Sequence, residues 1–128
     1  MISKRPPTSV PAFRTVAMPA DANANGDIFG GWLMSQMDLA GGVHAHQEAN
    51  GRTATVAVDA MSFHLPVQIG DLVTWYCETV QIGRTSIVVK VDTWVKRRSD
   101  GQEEKVTEGL FTFVAIDDTG RPRSVRCS

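Results

Sequence analysis

Residues Asn23 to Asp38 read N-A-N-G-D-I-F-G-G-W-L-M-S-Q-M-D: a loop that turns into an apolar helix and then sets one carboxylate among residues that read as core. Asn, Gly and Asp at the front are turn formers. Gly30-Gly31 then opens a run to Glu48 with no proline and hardly any charge, which predicts a helix from Phe29 to Glu48. Trp32, Leu33, Met34, Met37, Leu39, Ala40 and Val43 surround its axis, so the helix is expected to be apolar on nearly every side and buried. The second glycine pair, Gly41-Gly42, costs a helix roughly 1 kcal/mol per residue relative to alanine, which predicts close packing against another backbone. The helix is expected to end near Asn50-Gly51.

Working outward, Pro19 to Asp27 reads as a loop and Phe13 to Met18 as a short strand before it. Everything after the helix reads as strand. Thr53 to Phe63, Leu72 to Ile82, Ser86 to Lys96 and Val106 to Ile116 are rich in Val, Ile, Thr and aromatics, with turn residues between them. The alternation is clearest in Ile87, Val89, Val91, Thr93 and Val95, which predicts one dry face and one wet face. Gly83-Arg84 and Ser99-Asp100-Gly101 are short enough to be hairpin turns, making the last three strands an antiparallel meander. The fold class is therefore α+β, a long central helix wrapped by one antiparallel β-sheet. The charged run K-R-R-S-D-G-Q-E-E-K is expected to be a solvated hairpin tip. Residues 1–11 are expected to be a flexible proline-rich arm, residues 12–123 a single domain and residues 124–128 a tail.

Composition narrows the partners. A net charge of -1 gives no general reason to expect nucleic acid. No stretch approaches the ~20 apolar residues of a membrane span, and the first residues lack the apolar run of a secretory signal. Two cysteines, Cys77 and Cys127, have neither metal-site spacing nor the look of a disulfide framework. The expected location is the cytoplasm, with no metal and no cofactor.

The opening stretch can also be read chemically. The first amides of a helix have no intrahelical partner and carry the positive end of its dipole, and glycine lets a substrate oxygen come close. Gly30 and Gly31 thus form a candidate oxyanion site. Asp38, about two turns later among small and apolar neighbours, is a candidate base, and Asn23 a positioning amide. Amide donors, a carboxylate and an amide suit hydrolysis of an activated acyl group. The plainer reading stays open at this point: a lone helical Asp usually faces solvent, and a loop Asn usually caps a turn.

Three runs carry a resemblance: D-A-N-A-N-G-D-I-F-G-G-W-L-M-S-Q-M-D, T-V-A-V-D-A-M-S-F-H-L-P-V-Q-I-G-D-L-V and G-R-T-S-I-V-V-K-V. In this order they resemble the hotdog-fold acyl-CoA thioesterases of the YciA type, relatives of the brain acyl-CoA hydrolase. The likeness covers roughly Arg14 to Pro122. It implies a hotdog fold and hydrolysis of acyl-CoA to a free carboxylic acid and coenzyme A. The catalytic Asp then corresponds to Asp38 and the catalytic Asn to Asn23, the two coming from opposite units of a homodimer, often in a trimer of dimers. Coenzyme A would be part of substrate and product rather than a cofactor.

Within that chemistry, Asp38 either deprotonates a water or attacks the carbonyl itself to form a mixed anhydride. Candidate contacts for the coenzyme A phosphates are Arg84 with Ser86 and Arg121 with Arg123. Met34, Met37 and Phe63 are candidates for the acyl pocket. His44 and His46 read as surface residues near the helix end. Two rival functions remain. A hotdog enoyl-CoA hydratase or dehydratase would need a His with an acidic partner, and His64 is the one strand histidine, with nothing in the sequence setting a carboxylate beside it. A non-catalytic acyl-CoA-binding sensor would need an effector segment that a short proline-rich arm does not resemble.

Overall fold

The computed structural model describes residues 6, 7 and 9–126; six residues of the expected arm, and Cys127, lie outside the described residues. The strands are β1 (Phe13–Val16), β2 (Thr53–Phe63), β3 (Leu72–Ile82), β4 (Ser86–Lys96) and β5 (Glu103–Ala115), and a single long helix, α1 (Gly30–Ala49), lies between β1 and β2. A 3₁₀ turn at Pro19–Asp21 begins the expected loop. The strands form one sheet in the order β1-β3-β4-β5-β2. All pairings are antiparallel.

The period-2 pattern of β4 does what alternation predicts. Ile87, Val89, Val91, Thr93 and Val95 are all buried beneath the helix, with Phe111 and Phe113 of β5 and Trp75 of β3 beside them. The opposite face is less wet than expected, since Tyr76 and Trp94 are also buried. Strand β5 starts at Glu103, three residues earlier than its hydrophobic content predicts, because Glu103 and Glu104 pair with Lys96 and Val95 across the hairpin. That hairpin is not wholly solvated either. The Arg97 side chain is 11% exposed. Its Nη1 donates to Asp71 Oδ2 at 2.7 Å and to the Pro66 carbonyl at 2.8 Å, and its Nε to Glu104 at 2.7 Å. These bonds tie the tip to the loop that follows β2.

Helix α1 departs from its expectation in one respect that matters. Leu33, Met37, Ala40, Gly41, Ala45 and Ala49 face the sheet and are buried. Met34, Leu39 and Val43 face away and remain 38%, 51% and 44% exposed. A single sheet can cover only one side of a cylinder, so a helix that is apolar all round keeps an uncovered face. The glycine pair divides between these sides. A side-chain carbon at Gly41 would stand 3.0 Å from Phe113 Cζ and 3.3 Å from Val91 Cγ2, so Gly41 admits an aromatic ring rather than the expected backbone. Gly42 is half-buried toward the outer side. At the far end Asn50 takes the left-handed conformation (φ 51°), and the Gly51 amide donates to the His46 carbonyl at 3.1 Å. Among the described residues, no helix is long and apolar enough to cross a membrane.

Candidate active site

Asp38 stands on the outward side of α1, half-buried, where Thr55 of β2 reaches the helix. Thr55 of β2 donates its hydroxyl to Asp38 Oδ1 at 2.5 Å. Such a short bond to a carboxylate is charge-assisted and fixes the orientation of the acceptor. The pair opens into a cleft of about 330 Å³ lined by Gly31, Met34, Ser35, Val58 and Phe111. On its other side Asp38 lines a second cleft of about 390 Å³ with Leu39, Gly42, Val43 and His46. A lone carboxylate read among core residues is therefore a held carboxylate at the surface of a single chain. Thr55 escaped the sequence reading because it lies 17 residues away, and only strand pairing brings it to the helix.

Gly30 and Gly31 open the helix as expected. Phe29 precedes them with no side-chain cap, and the helical bonds begin with the amides of Trp32 and Leu33, both donating to the Phe29 carbonyl. A side-chain carbon at Gly31 would meet nothing within 4 Å, whereas at Gly30 it would touch the Phe63 ring at 3.5 Å. Gly30, Phe63 and His64 line a cleft of about 290 Å³, separate from those of Asp38.

Asn23 uses its carboxamide oxygen to hold its own loop. Oδ1 accepts from the Asn25 amide at 2.9 Å and the Asp27 amide at 3.2 Å. The plain turn-capping role is thus present, and the carboxamide N–H donors remain for another use. Asn23 lines neither of the clefts that Asp38 lines.

The remaining candidates separate. Met34 lines the Asp38 cleft, but Met37 is 0% exposed and belongs to the core, because it falls on the sheet side of the helix. Arg84 and Arg121 are exposed. The tail runs back along the β3–β4 hairpin, the Val125 amide donating to the Arg84 carbonyl at 2.9 Å, and Ser86 starts β4 beside it. Arg123, expected among the phosphate contacts, also ties the tail to the helix C-terminus: three of its five N–H donors go to the carbonyls of Ala49, Ile116 and Ser124. A cavity of about 620 Å³ at this end is lined by His46, Arg52, Arg123 and Arg126 together with Asp117 and Asp118. Arg52 and Arg126 carried no motif that could have singled them out.

His64 has the acidic partner that the sequence did not reveal. Its Nε2 lies 3.0 Å from Glu108 Oε2, and Lys105 Nζ lies 3.3 Å from the same oxygen. Burial pushes the Glu108 carboxyl up, but the bond to His64 and the charge of Lys105 outweigh it and hold the group below its ordinary value. The partner was invisible because β5 delivers it from 44 residues away. This pair lies at the Gly30 cleft and not beside Asp38. His44, expected at the surface, is half-buried and bonds Thr79 Oγ1 at 2.7 Å, whereas His46 is exposed. Burial, and then the charge of Asp92, push the Cys77 thiol up to about 12, which makes it inert. Among the described residues no group of three or more His, Cys, Asp and Glu side chains is placed to hold a metal.

Comparison with known proteins gives the chain its family. Residues 25–101 match the model of the thioesterase superfamily. The acyl-CoA thioester hydrolase YciA of Escherichia coli is 52% identical over 115 residues, covering 88% of this chain and 87% of the relative. A hexameric thioesterase from Yersinia pestis is 49% identical with a TM-score of 0.89, covering 95% of this chain and 99% of the other. A hexameric hotdog-fold thioesterase from Campylobacter jejuni is 39% identical with a TM-score of 0.86, covering 91% and 90%.

Proposed function

The chain belongs to the thioesterase superfamily as an acyl-CoA thioester hydrolase of hotdog fold, and on that premise we propose that Asp38 is its catalytic base and that a second copy of the chain completes the site. The observation that carries the proposal is the Thr55–Asp38 bond at 2.5 Å, which holds a carboxylate in an open, largely apolar cleft.

Distance along the helix explains the second copy. A carbonyl under attack must lie about 3 Å from its oxyanion donors and within reach of the activated water. Gly31 precedes Asp38 by seven residues, roughly 10 Å along an α-helix. The amides and the carboxylate of one chain therefore act on different carbonyls. A partner whose helix runs antiparallel would bring its own Gly30, Gly31 and Asn23 opposite Asp38. Two features support this pairing. Strand β2 is an 11-residue sheet edge with Val56, Val58 and Phe63 exposed, and long apolar edges are templates for pairing. The exposed face of α1 lies next to it. We propose a homodimer built through these surfaces, assembled as a trimer of dimers, in keeping with the hexameric relatives.

In the reaction the helix amides, with the Asn23 carboxamide as an added donor, stabilise the charge growing on the thioester oxygen. Asp38 takes a proton from water, whose oxygen bonds to the carbonyl carbon. The C–S bond then breaks as Asp38 returns its proton to the departing sulfur, giving the carboxylic acid and coenzyme A thiol and restoring the carboxylate, and no cofactor is called for. Met34, Val58 and Phe111 supply an apolar wall for the acyl chain, with Phe63 contributed from the partner. Arg84 and Arg121, with Ser86 nearby and Arg52 and Arg126 at the helix C-terminus, are the cations proposed for the phosphates. The near-neutral composition and the free Cys77 support the cytoplasm.

Subunit complementation tests the shared site. Asn23→Ala and Asp38→Asn proteins, each inactive, are mixed and allowed to exchange subunits. Mixed dimers carry one site with both residues and one with neither, and about half of all dimers are mixed, so thiol release should recover to roughly a quarter of wild type. Exchange proven by mass spectrometry without recovery would place both residues of a site in one chain.

A further inference from the structure

Three residues of β2 face the helix at spacings that a regular strand forbids. Thr55 bonds Asp38, Val58 lines the Asp38 cleft, and Phe63 lies where a side-chain carbon on Gly30 would stand 3.5 Å from its ring. Thr55 to Val58 and Val58 to Phe63 are both odd steps, and alternation sends residues an odd step apart to opposite faces. The pairing of β2 with β5 resets the faces. Thr55 opposes Phe113 and Val58 opposes Phe111, with Val56 as an extra residue between them. Phe63 then opposes Thr107, because Ala60 and Met61 together stand opposite the single residue Gly109.

This second bulge is strained. Ala60 holds φ at 50°, in the left-handed region that among the described residues only Asn50 shares without being glycine. Asn tolerates that region, whereas alanine sets its Cβ too close to the following carbonyl oxygen. Such strain persists where neighbours hold it in place. Met61 folds over Gly109, where a side-chain carbon would stand 2.9 Å from Met61 Cε. Thr107 Oγ1 donates to the Ser62 carbonyl at 2.6 Å, the His64 amide donates to the Val106 carbonyl at 2.7 Å, and the His64 ring bonds Glu108. Without the extra residue Ser62 would oppose Thr107, and Phe63 would turn to the outer face of the sheet, away from Gly30.

We propose that Ala60 is a positioning residue for the hydrolysis: its left-handed bulge turns Phe63 onto the Gly30 end of the helix, where the ring walls the acyl side of the shared site. This role rests on Phe63 belonging to the acyl wall, as proposed above. Bulges on edge strands re-aim side chains next to sites. The His64–Glu108 pair, which the reaction does not use, is then the clamp on the re-aimed segment.

The test compares thiol release from hexanoyl-CoA and acetyl-CoA, because only the longer chain runs along a wall, whereas damage to fold or assembly lowers both rates alike. Phe63→Ala should lower the hexanoyl-to-acetyl ratio of kcat/KM on the order of tenfold. Ala60→Val, whose branched side chain resists the left-handed region, should lower it as much, and in the Phe63→Ala background should change it by less than about twofold. Ala60→Gly and Ala60→Asn suit the conformation, so both should hold the parent ratio, and Ala60→Gly should raise the melting temperature. His64→Ala, at an exposed position, loosens the clamp without touching the bulge and should lower the ratio about threefold even if Ala60→Val does not fold. An equal fall on both substrates, a lower melting temperature in Ala60→Gly, or a ratio unmoved by Ala60→Val (by His64→Ala, should the valine variant not fold) would overturn the proposal. If Phe63→Ala itself left the ratio unmoved, the acyl reading of Phe63 would fall and the proposal with it. If only the Ala60 and His64 variants did, Phe63 would remain the wall and the bulge would be incidental to it.

Discussion

The two sides of helix α1 are made from the same kinds of residue and meet opposite fates. On the sheet side Leu33, Met37 and Ala45 are closed in by Val91, Phe111 and Phe113, and Gly41 leaves room for the Phe113 ring where a side-chain carbon would stand only 3.0 Å from it. On the outward side Met34, Leu39 and Val43 flank Asp38 and stay partly exposed. Apolar surface left open beside a fixed carboxylate is the pattern that the proposed shared site requires of one chain. The sheet side is therefore expected to govern stability and the outward side catalysis and assembly.

The largest effect should separate these sides. Asp38→Asn should lower kcat on the order of 10²-fold or more while the melting temperature stays near that of the parent, since it removes a base and no packing. Near-normal thiol release would break the assignment. The counterpart on the sheet side is Met37→Ala, which should cost about 2–5 kcal/mol of stability in denaturant unfolding, through lost burial and a residual cavity. If kcat per folded molecule fell as far as in Asp38→Asn, the two sides would not be distinct.

Smaller effects sharpen the division. Leu39→Glu places a charge on the exposed apolar face. It should shift the assembly toward smaller species in sedimentation, and lower activity in proportion, because a desolvated unpaired charge opposes docking. An unchanged assembly would mean that this face stays in water. The mildest substitution is Thr55→Val, which removes the hydroxyl on Asp38 at nearly constant volume. A drop in kcat on the order of tenfold with KM little changed is expected for loss of one charge-assisted bond that orients the base. A larger change in KM than in kcat would make Thr55 a binding residue.

Local pattern carried the elements far. β2, β3 and β4 begin and end at the residues that alternation and turn chemistry predict, and α1 is displaced by one residue from its reading. Helices and strands are set by neighbours a few positions away, so their signal is written contiguously. Where the sequence understated an element, as with Glu103 and Glu104 at the start of β5, the cause was cross-strand pairing rather than composition.

The sequence by itself determined the helix-and-meander architecture, the glycine-led helix start and the family motifs that single out Asn23 and Asp38. Tertiary structure alone decided which side of α1 is core, for an all-round apolar helix contains no instruction about which face a single sheet will cover. It moved Met37 into the core and left Met34 in the cleft, although the two lie within one turn. It also set Thr55 on Asp38, Glu108 on His64 and the guanidinium of Arg123 on the Ala49 carbonyl. Those partners stand 17, 44 and 74 residues apart. Pairing of β2 with β5 brings Glu108 to His64, packing of the helix on the sheet brings Asp38 to Thr55, and the return of the tail brings Arg123 to Ala49; each is a property of the closed fold rather than of any segment in it.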